Sequence, residues 1–198
     1  MLKRVLAVGV TILISAAIGV GSALAVLNNG QLFFGRTHHD YWSGNRNAGS
    51  SAADPYTRGI VATMGLLALN RSETIYYQRY QDEHGRPLRE GCIYELRGGD
   101  LPTRWWSITV YAADNFLPMN GKHAYSVDAT QMHRGEDGSW VARLATDRAD
   151  AENWIATGAA GEFSLALRMY NPNPGVPEND SVIPFPSIQT VSCDGGAA

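Results

Sequence analysis

From Val5 to Leu27 the chain runs for 23 positions without a charge, interrupted only by Gly, Thr and Ser. A helix of that length rises about 34 Å at ~1.5 Å per residue, enough to cross a ~30 Å hydrocarbon layer. Lys3 and Arg4 lie just before it, so the positive-inside rule puts the N-terminus in the cytoplasm and the rest outside. Two other readings stay open. Ala23-Leu24-Ala25 offers small residues in the A-x-A arrangement of a cleavable signal peptide, although the run exceeds the ~7–15 apolar residues usual for one. A buried helix of a soluble fold is the third. The reading adopted is a single-pass anchor in the cytoplasmic (inner) membrane, contacting lipid through residues 5–27, with the C-terminal domain in the periplasm. On that basis residues 1–27 are an anchor or uncleaved signal.

Residues 28–198 suit one domain with its own core. The net charge of −3 becomes −5 once Lys3 and Arg4 are set aside. With no basic stripe, nucleic acid is not an expected partner. The chain has two cysteines, Cys92 and Cys193, and in an exported protein an even count suggests a disulfide. That bond would pin the last strand to the body. Two unrelated buried thiols are the alternative, and two lone cysteines without a close His do not suggest metal.

Residues 28–53 are rich in Asn, Gly, Ser and Ala and read as a flexible tether with little regular structure. Asp54-Pro55 is a good helix start, and Tyr56, Ile60, Met64 and Leu67 continue at helical spacing, which predicts a helix over 55–68. From Thr74 onward the pattern becomes strand-like. Thr74–Gln81 and Gly91–Arg97 read as a hairpin; further strands are expected at 104–112, 125–129, 140–146, 162–170 and 187–192. Residues 171–186 hold five of the nine prolines and must be an irregular loop. Residues 54–198 are therefore expected to be mainly β, a largely antiparallel, jelly-roll-like β-sandwich with one packed helix behind an N-terminal transmembrane helix.

Five short runs carry a family resemblance: Asp54-Pro55-Tyr56-Thr57-Arg58, Asp82-x-x-Gly85-x-Pro87-Leu88, Arg104-Trp105-Trp106-Ser107-x-Thr109-Val110-Tyr111, Asn153-Trp154 and Leu167-Arg168-Met169-Tyr170. In this order, over about 54–193, the chain resembles the bacterial domain-of-unknown-function 1214 family, in the short membrane-anchored form common in alphaproteobacteria. The resemblance implies a β-sandwich and no settled activity. It also implies a companion, because such domains occur beside or fused to a domain-of-unknown-function 1254 module, for which this chain has no room. Where many members follow Asn-Trp with Leu-Pro, this chain has Ile155-Ala156, so the loop built on that proline is expected to differ.

Standard catalytic motifs are absent from the sequence: there is no nucleophile elbow, zinc helix, P-loop or EF-hand loop. No catalytic residue, metal site or cofactor is assigned. His38-His39-Asp40 reads as a solvated or headgroup-facing pair, since neighbours in extended chain point opposite ways. Strand alternation says more. Trp106, Ile108 and Val110 form one face of the 104–112 run, and Phe163, Leu165, Leu167 and Met169 one face of the 162–170 run. If the two strands share a sheet, Trp105, Thr109, Tyr111, Arg168 and Tyr170 line its other face as a ligand or partner surface. Such a mix of rings, hydroxyls and a guanidinium suits a sugar ring, a carboxylate ligand or a partner's loop. The competing reading has that face covered and Arg168 satisfied internally. The expected role is a membrane-tethered periplasmic binding or interaction domain working with a 1254-type companion. The alternative is an enzyme or solute-binding domain for a sugar-like or carboxylated small molecule, its carboxylates drawn from Asp100, Asp114, Asp128 and Glu162.

Overall fold

The computed structural model describes residues 2–29, 36–63 and 69–194. Helix α1 spans Leu2–Asn29, and within it Lys3–Leu27 has a mean hydropathy of 2.3, long and apolar enough to cross a membrane. Helix α2 spans Pro55–Thr63 and packs against α1. Gly59 permits that contact, because a Cβ there would come within 2.6 Å of the Leu27 side chain. The expected continuation of α2 through Met64 and Leu67 lies outside the described residues.

The body is built from two sheets. The larger runs in the order β1 (Arg36–His39), β2 (Trp42–Asn45), β3 (Thr74–Arg79), β9 (Phe163–Pro172), β5 (Thr103–Ala112), β6 (Ser126–Asp128). The smaller is β10 (Ser187–Cys193), β4 (Cys92–Gly98), β7 (Trp140–Ala145), β8 (Trp154–Ala156). Their inner faces share one core that includes Trp106, Ile108, Leu165 and Leu167 from the first sheet and Leu96, Leu144, Ile155 and Ile188 from the second. The fold is mainly β with sandwich-like packing, as expected; the larger sheet pairs antiparallel throughout, and the smaller is mixed because β7 and β8 pair in parallel.

Three expectations need correction. Within the expected 28–53 tether, residues 36–45 are regular structure: β1 and β2 form an antiparallel hairpin that extends the large sheet through β3. Composition concealed Trp42, which is fully buried and donates its indole N–H to the Pro186 carbonyl at 2.7 Å. Gly44 completes the fit, since a Cβ there would lie 2.6 Å from the Tyr77 ring. The second correction concerns 74–81 and 91–97, which do not pair as a hairpin. The chain reverses at the Gln81↔Pro87 bridge, and buried Leu88 then carries it into the other sheet, where β4 pairs with β10 and β7. Third, His39 is partly covered and not fully solvated. Its Nε2 lies 3.1 Å from Asp180 and its ring stacks on Phe185, while His38 is exposed.

Cys92 and Cys193 form the expected disulfide, joining β4 to β10 across 101 residues of sequence. Strand register fixes the orientation of the large sheet. Arg36 pairs with Asn45, Gly44 with Tyr77, Thr74 with Tyr170 and Thr103 with Pro172. The chain therefore enters β1 and β3 at the end where β9 finishes. The Ala112↔Phe163 end is the opposite one.

Candidate functional site

Strands β5 and β9 pair over their whole length, with Trp105 opposite Tyr170, Ser107 opposite Arg168 and Tyr111 opposite Ser164. Their period-2 alternation sends Trp106, Ile108, Val110, Phe163, Leu165, Leu167 and Met169 into the core, all 3% exposed or less. The same parity sends Trp105, Thr109, Tyr111, Arg168 and Tyr170 to the outer face, where all five are half-buried. The five residues singled out in sequence therefore share one face.

They form two contacting groups. Trp105 and Tyr170 lie with ring centroids 5.2 Å apart at a 54° tilt, and the Trp105 indole N–H donates to Thr130 at 2.9 Å. Two residues along β9, Arg168 donates from Nη2 to the Tyr111 hydroxyl at 2.8 Å and from Nη1 to Thr109 Oγ1 at 3.4 Å. Its guanidinium carbon sits 5.4 Å from the Tyr111 ring centroid, in cation–π range. No carboxylate among the described residues forms an ion pair with Arg168, in contrast to Arg46, Arg79, Arg86, Arg97 and Arg134. The cross-strand row that holds Arg168 runs from Tyr76 to Asp128. Ser107, opposite Arg168, is followed across the sheet by Asp128, and on the other side Arg168 faces Tyr76.

Several residues of the motif runs are already engaged by the fold. Asp54 caps α2, accepting from the Tyr56 and Thr57 amides and the Thr57 hydroxyl, and those bonds hold its carboxyl below the usual range. Asp82 is fully buried in the turn before β4. Burial alone would raise its carboxyl, but bonds from Thr190, Arg86 and the His84 and Arg86 amides bring it down to about 2. Asn153 clamps a loop to β7, donating to the His133 and Val141 carbonyls and accepting from the His133 amide. Arg168, Tyr170, Trp105 and Tyr111 carry no comparable backbone duty.

The scattered carboxylates do not assemble into a catalytic pair. Asp100 meets Arg134 at 2.6 Å, while Asp114 and Asp128 accept backbone amides in their own turns. Glu162 lines a 330 Å³ cleft with Tyr80, Gln81 and Asn115 at the far end of the sheet. Two further clefts, of 240 and 460 Å³, border β6 and the loop carrying Phe116 and Met119. None of these three includes Arg168.

Sequence reading missed a buried polar cluster beside β1 and β2. Asp180, 1% exposed, contacts Arg46 at 2.8 Å, His39 and the Tyr77 hydroxyl. Burial opposes its charge, yet bonds from Arg46, Thr37 and His39 lower the carboxyl to about 2. Burial, then the Asp180 charge, pushes the Tyr77 hydroxyl above its ordinary range. No sequence signal pairs an acid in a proline-rich loop with a hairpin more than 130 positions earlier. Its contacts all run between parts of the protein, tying the β1–β2 hairpin to the 171–186 loop, which makes it a fastening and not a binding site.

Known proteins resemble this chain in fold and in family. The family described as Protein of unknown function (DUF1214) matches residues 73–174, the segment holding β3 to β9. Among solved structures, the VPA0106 protein of Vibrio parahaemolyticus is similar with a TM-score of 0.60 and 20% identity, over 89% of this chain and 43% of that one. An uncharacterised protein of Burkholderia cenocepacia aligns with a TM-score of 0.45 and 14% identity, over 89% and 41%. The chain thus spans less than half the length of either structure. No curated protein matches it.

Proposed function

The chain belongs to the DUF1214 family, and from that premise we propose that it is a membrane-tethered periplasmic interaction domain that docks a companion protein through the outer face of its large sheet. The observation that carries this reading is the five-residue face itself. A tilted Trp105–Tyr170 ring pair stands beside an arginine held by hydroxyls and lacking an acid. Trp, Tyr and Arg are the side chains that most often anchor protein interfaces. An apolar helix over Lys3–Leu27, behind Lys3 and Arg4, supports the inner membrane with the body outside. The Cys92–Cys193 disulfide suits an oxidising compartment. The companion of this reading is a protein of the 1254 type, as the family resemblance implies.

The test is a native pull-down of the tagged full-length chain from its own membranes in mild detergent, followed by intact-mass analysis. A stoichiometric companion, lost with Trp105→Ala in a chain that still folds, is the expected result. A chain recovered alone, or a companion retained by Trp105→Ala, would count against docking through this face. The intact mass also decides between anchor and cleaved signal.

A further inference from the structure

The chemistry of the face specifies what it receives. Arginine has five N–H donors and no acceptor. Arg168 gives one to Tyr111 and one, at a long 3.4 Å, to Thr109. Three N–H groups then have no protein acceptor among the described residues, on a half-buried guanidinium with no ion pair. The two hydroxyls accept from Arg168 with their oxygens, which leaves their own hydrogens free to donate outward. The groups that converge beside Arg168 can thus all donate: the guanidinium fork, the Tyr111 O–H and the Thr109 O–H. Such a convergence fits a carboxylate, whose two oxygens accept bidentately from the guanidinium and singly from a hydroxyl.

The neighbouring subsite is of a different kind. Trp105 has already placed its indole N–H on Thr130, so towards a ligand it offers ring surface. Tyr170 tilts against it. Because Arg168 and Tyr170 are two residues apart on one strand face, their Cα atoms are separated by about 7 Å. Residues i and i+2 of an extended segment have the same spacing.

Resting on the docking reading above, we infer that the companion presents an extended segment with an acidic side chain at one position and a ring or large apolar side chain two positions away. The carboxylate sits on Arg168, Thr109 and Tyr111, and the apolar group lies on Trp105 and Tyr170. The chain's net charge of −3 supplies no long-range pull on an acidic partner, so Arg168 selects by contact and does not steer.

The probe is the capped tripeptide Ac-Glu-Ala-Tyr-NH2 against its neutral twin Ac-Gln-Ala-Tyr-NH2. Each is titrated onto the full-length chain in detergent and followed by the Arg168 Nε–H and Trp105 indole N–H resonances. The expected result is saturable shifts of both signals with the Glu peptide and at least tenfold weaker binding of the Gln peptide. Arg168→Gln should lose the difference, while Arg168→Lys, which keeps the charge but not the fork, should recover part of it. Equal binding of the two peptides, or no shift with either, overturns the inference. Sodium benzoate binding as tightly as the Glu peptide would overturn the protein partner in favour of a small carboxylate. The docking reading fails separately. A companion captured equally by wild type and Arg168→Gln, but lost with Trp105→Ala, leaves docking standing and removes the carboxylate. A Glu peptide that binds while membranes yield no companion does the reverse.

Discussion

Arg79 and Arg168 stand on opposite faces of the same large sheet, and the protein treats them in opposite ways. Arg79 points inward and is 1% exposed. It meets Glu83 at 2.7 Å, donates to the Gln81 and Pro186 carbonyls, and lies against the rings of Tyr41 and Trp42. Arg168 points outward, keeps partial exposure, and has only hydroxyls and a ring around it. A buried guanidinium without such partners would carry a large desolvation cost, so Arg79 has to be saturated for the fold to exist. A half-exposed one retains water on its free N–H groups until something displaces it. The inner arginine belongs to folding, and the outer one is held ready for an external partner.

The sharpest break of this comparison uses the adjacent tryptophans of β5. Trp106 is 2% exposed and stacks on Trp140 at 5.1 Å, so Trp106→Ala should cost about 3–5 kcal/mol through the cavity it opens. Trp105→Ala, on the outer face, should cost under about 1 kcal/mol. Urea unfolding of the two detergent-solubilised variants measures both. Equal losses would mean that the outer face is part of the packed interior and not a surface. Next in size is Arg79→Ala, expected to cost about 3 kcal/mol because it removes the buried guanidinium that bonds the Gln81 and Pro186 carbonyls and Glu83. If Arg79→Ala proves as mild as a surface change, the contrast between the two arginines falls.

Acid should act on one side only. The carboxyls of Asp82 and Asp180, 0% and 1% exposed, are held near 2, against roughly 3.9 in the unfolded chain. A depressed folded value adds stability that is fully present above the unfolded value and disappears as pH falls through the folded one. Each aspartate should therefore give up about 2 kcal/mol between roughly pH 4 and pH 2. The expected consequence is loosening of the β1–β2 hairpin and of β10, which these two acids hold through Arg46, His39 and Thr190. Hydrogen exchange across that pH range reports it by segment. Protection lost first in β5 and β9 would contradict the assignment of these acids as fastenings.

How much of this was legible in the sequence depended on whether a signal was local. Strands β5 and β9 were readable because apolar side chains at every second position, Trp106, Ile108 and Val110 and then Phe163, Leu165, Leu167 and Met169, declare both a strand and its core-facing parity. Parity alone put Trp105, Thr109, Tyr111, Arg168 and Tyr170 on one side. It could not say that Trp105 would sit opposite Tyr170, since register is decided by partners far along the chain. The α2 start was readable because Asp54 caps its own next turn. Strand β8 was missed: three residues have no period, and Trp154–Ala156 is a strand only because β7 lies parallel beside it. The β3–β4 hairpin failed for a related reason. Two good strands joined by a turn look alike whether they pair with each other or part into different sheets. The Asp180 cluster was invisible because its contacts join a loop that reads only as irregular to residues as far as His39, 141 positions earlier, and beyond it to Thr37.

The smallest expected effect on stability belongs to the outer arginine, and it decides the most. Arg168→Gln removes one good hydrogen bond to Tyr111, a long one to Thr109 and a cation–π contact, all on groups that water can reach. Each such contact contributes on the order of 1 kcal/mol or less. The glutamine keeps much of the aliphatic stem over the sheet and can still reach a hydroxyl, so the net cost should stay within about 0.5 kcal/mol. The same change made at Arg79 should cost several times more. A double-mutant cycle with Tyr111→Phe, read by urea unfolding, isolates the Arg168–Tyr111 pair. A coupling near zero is expected if the pair is an outward-facing cradle still open to water. A coupling above about 1 kcal/mol would mean that Arg168 is already satisfied by the fold as Arg79 is, and the difference between the two faces would then be one of exposure alone.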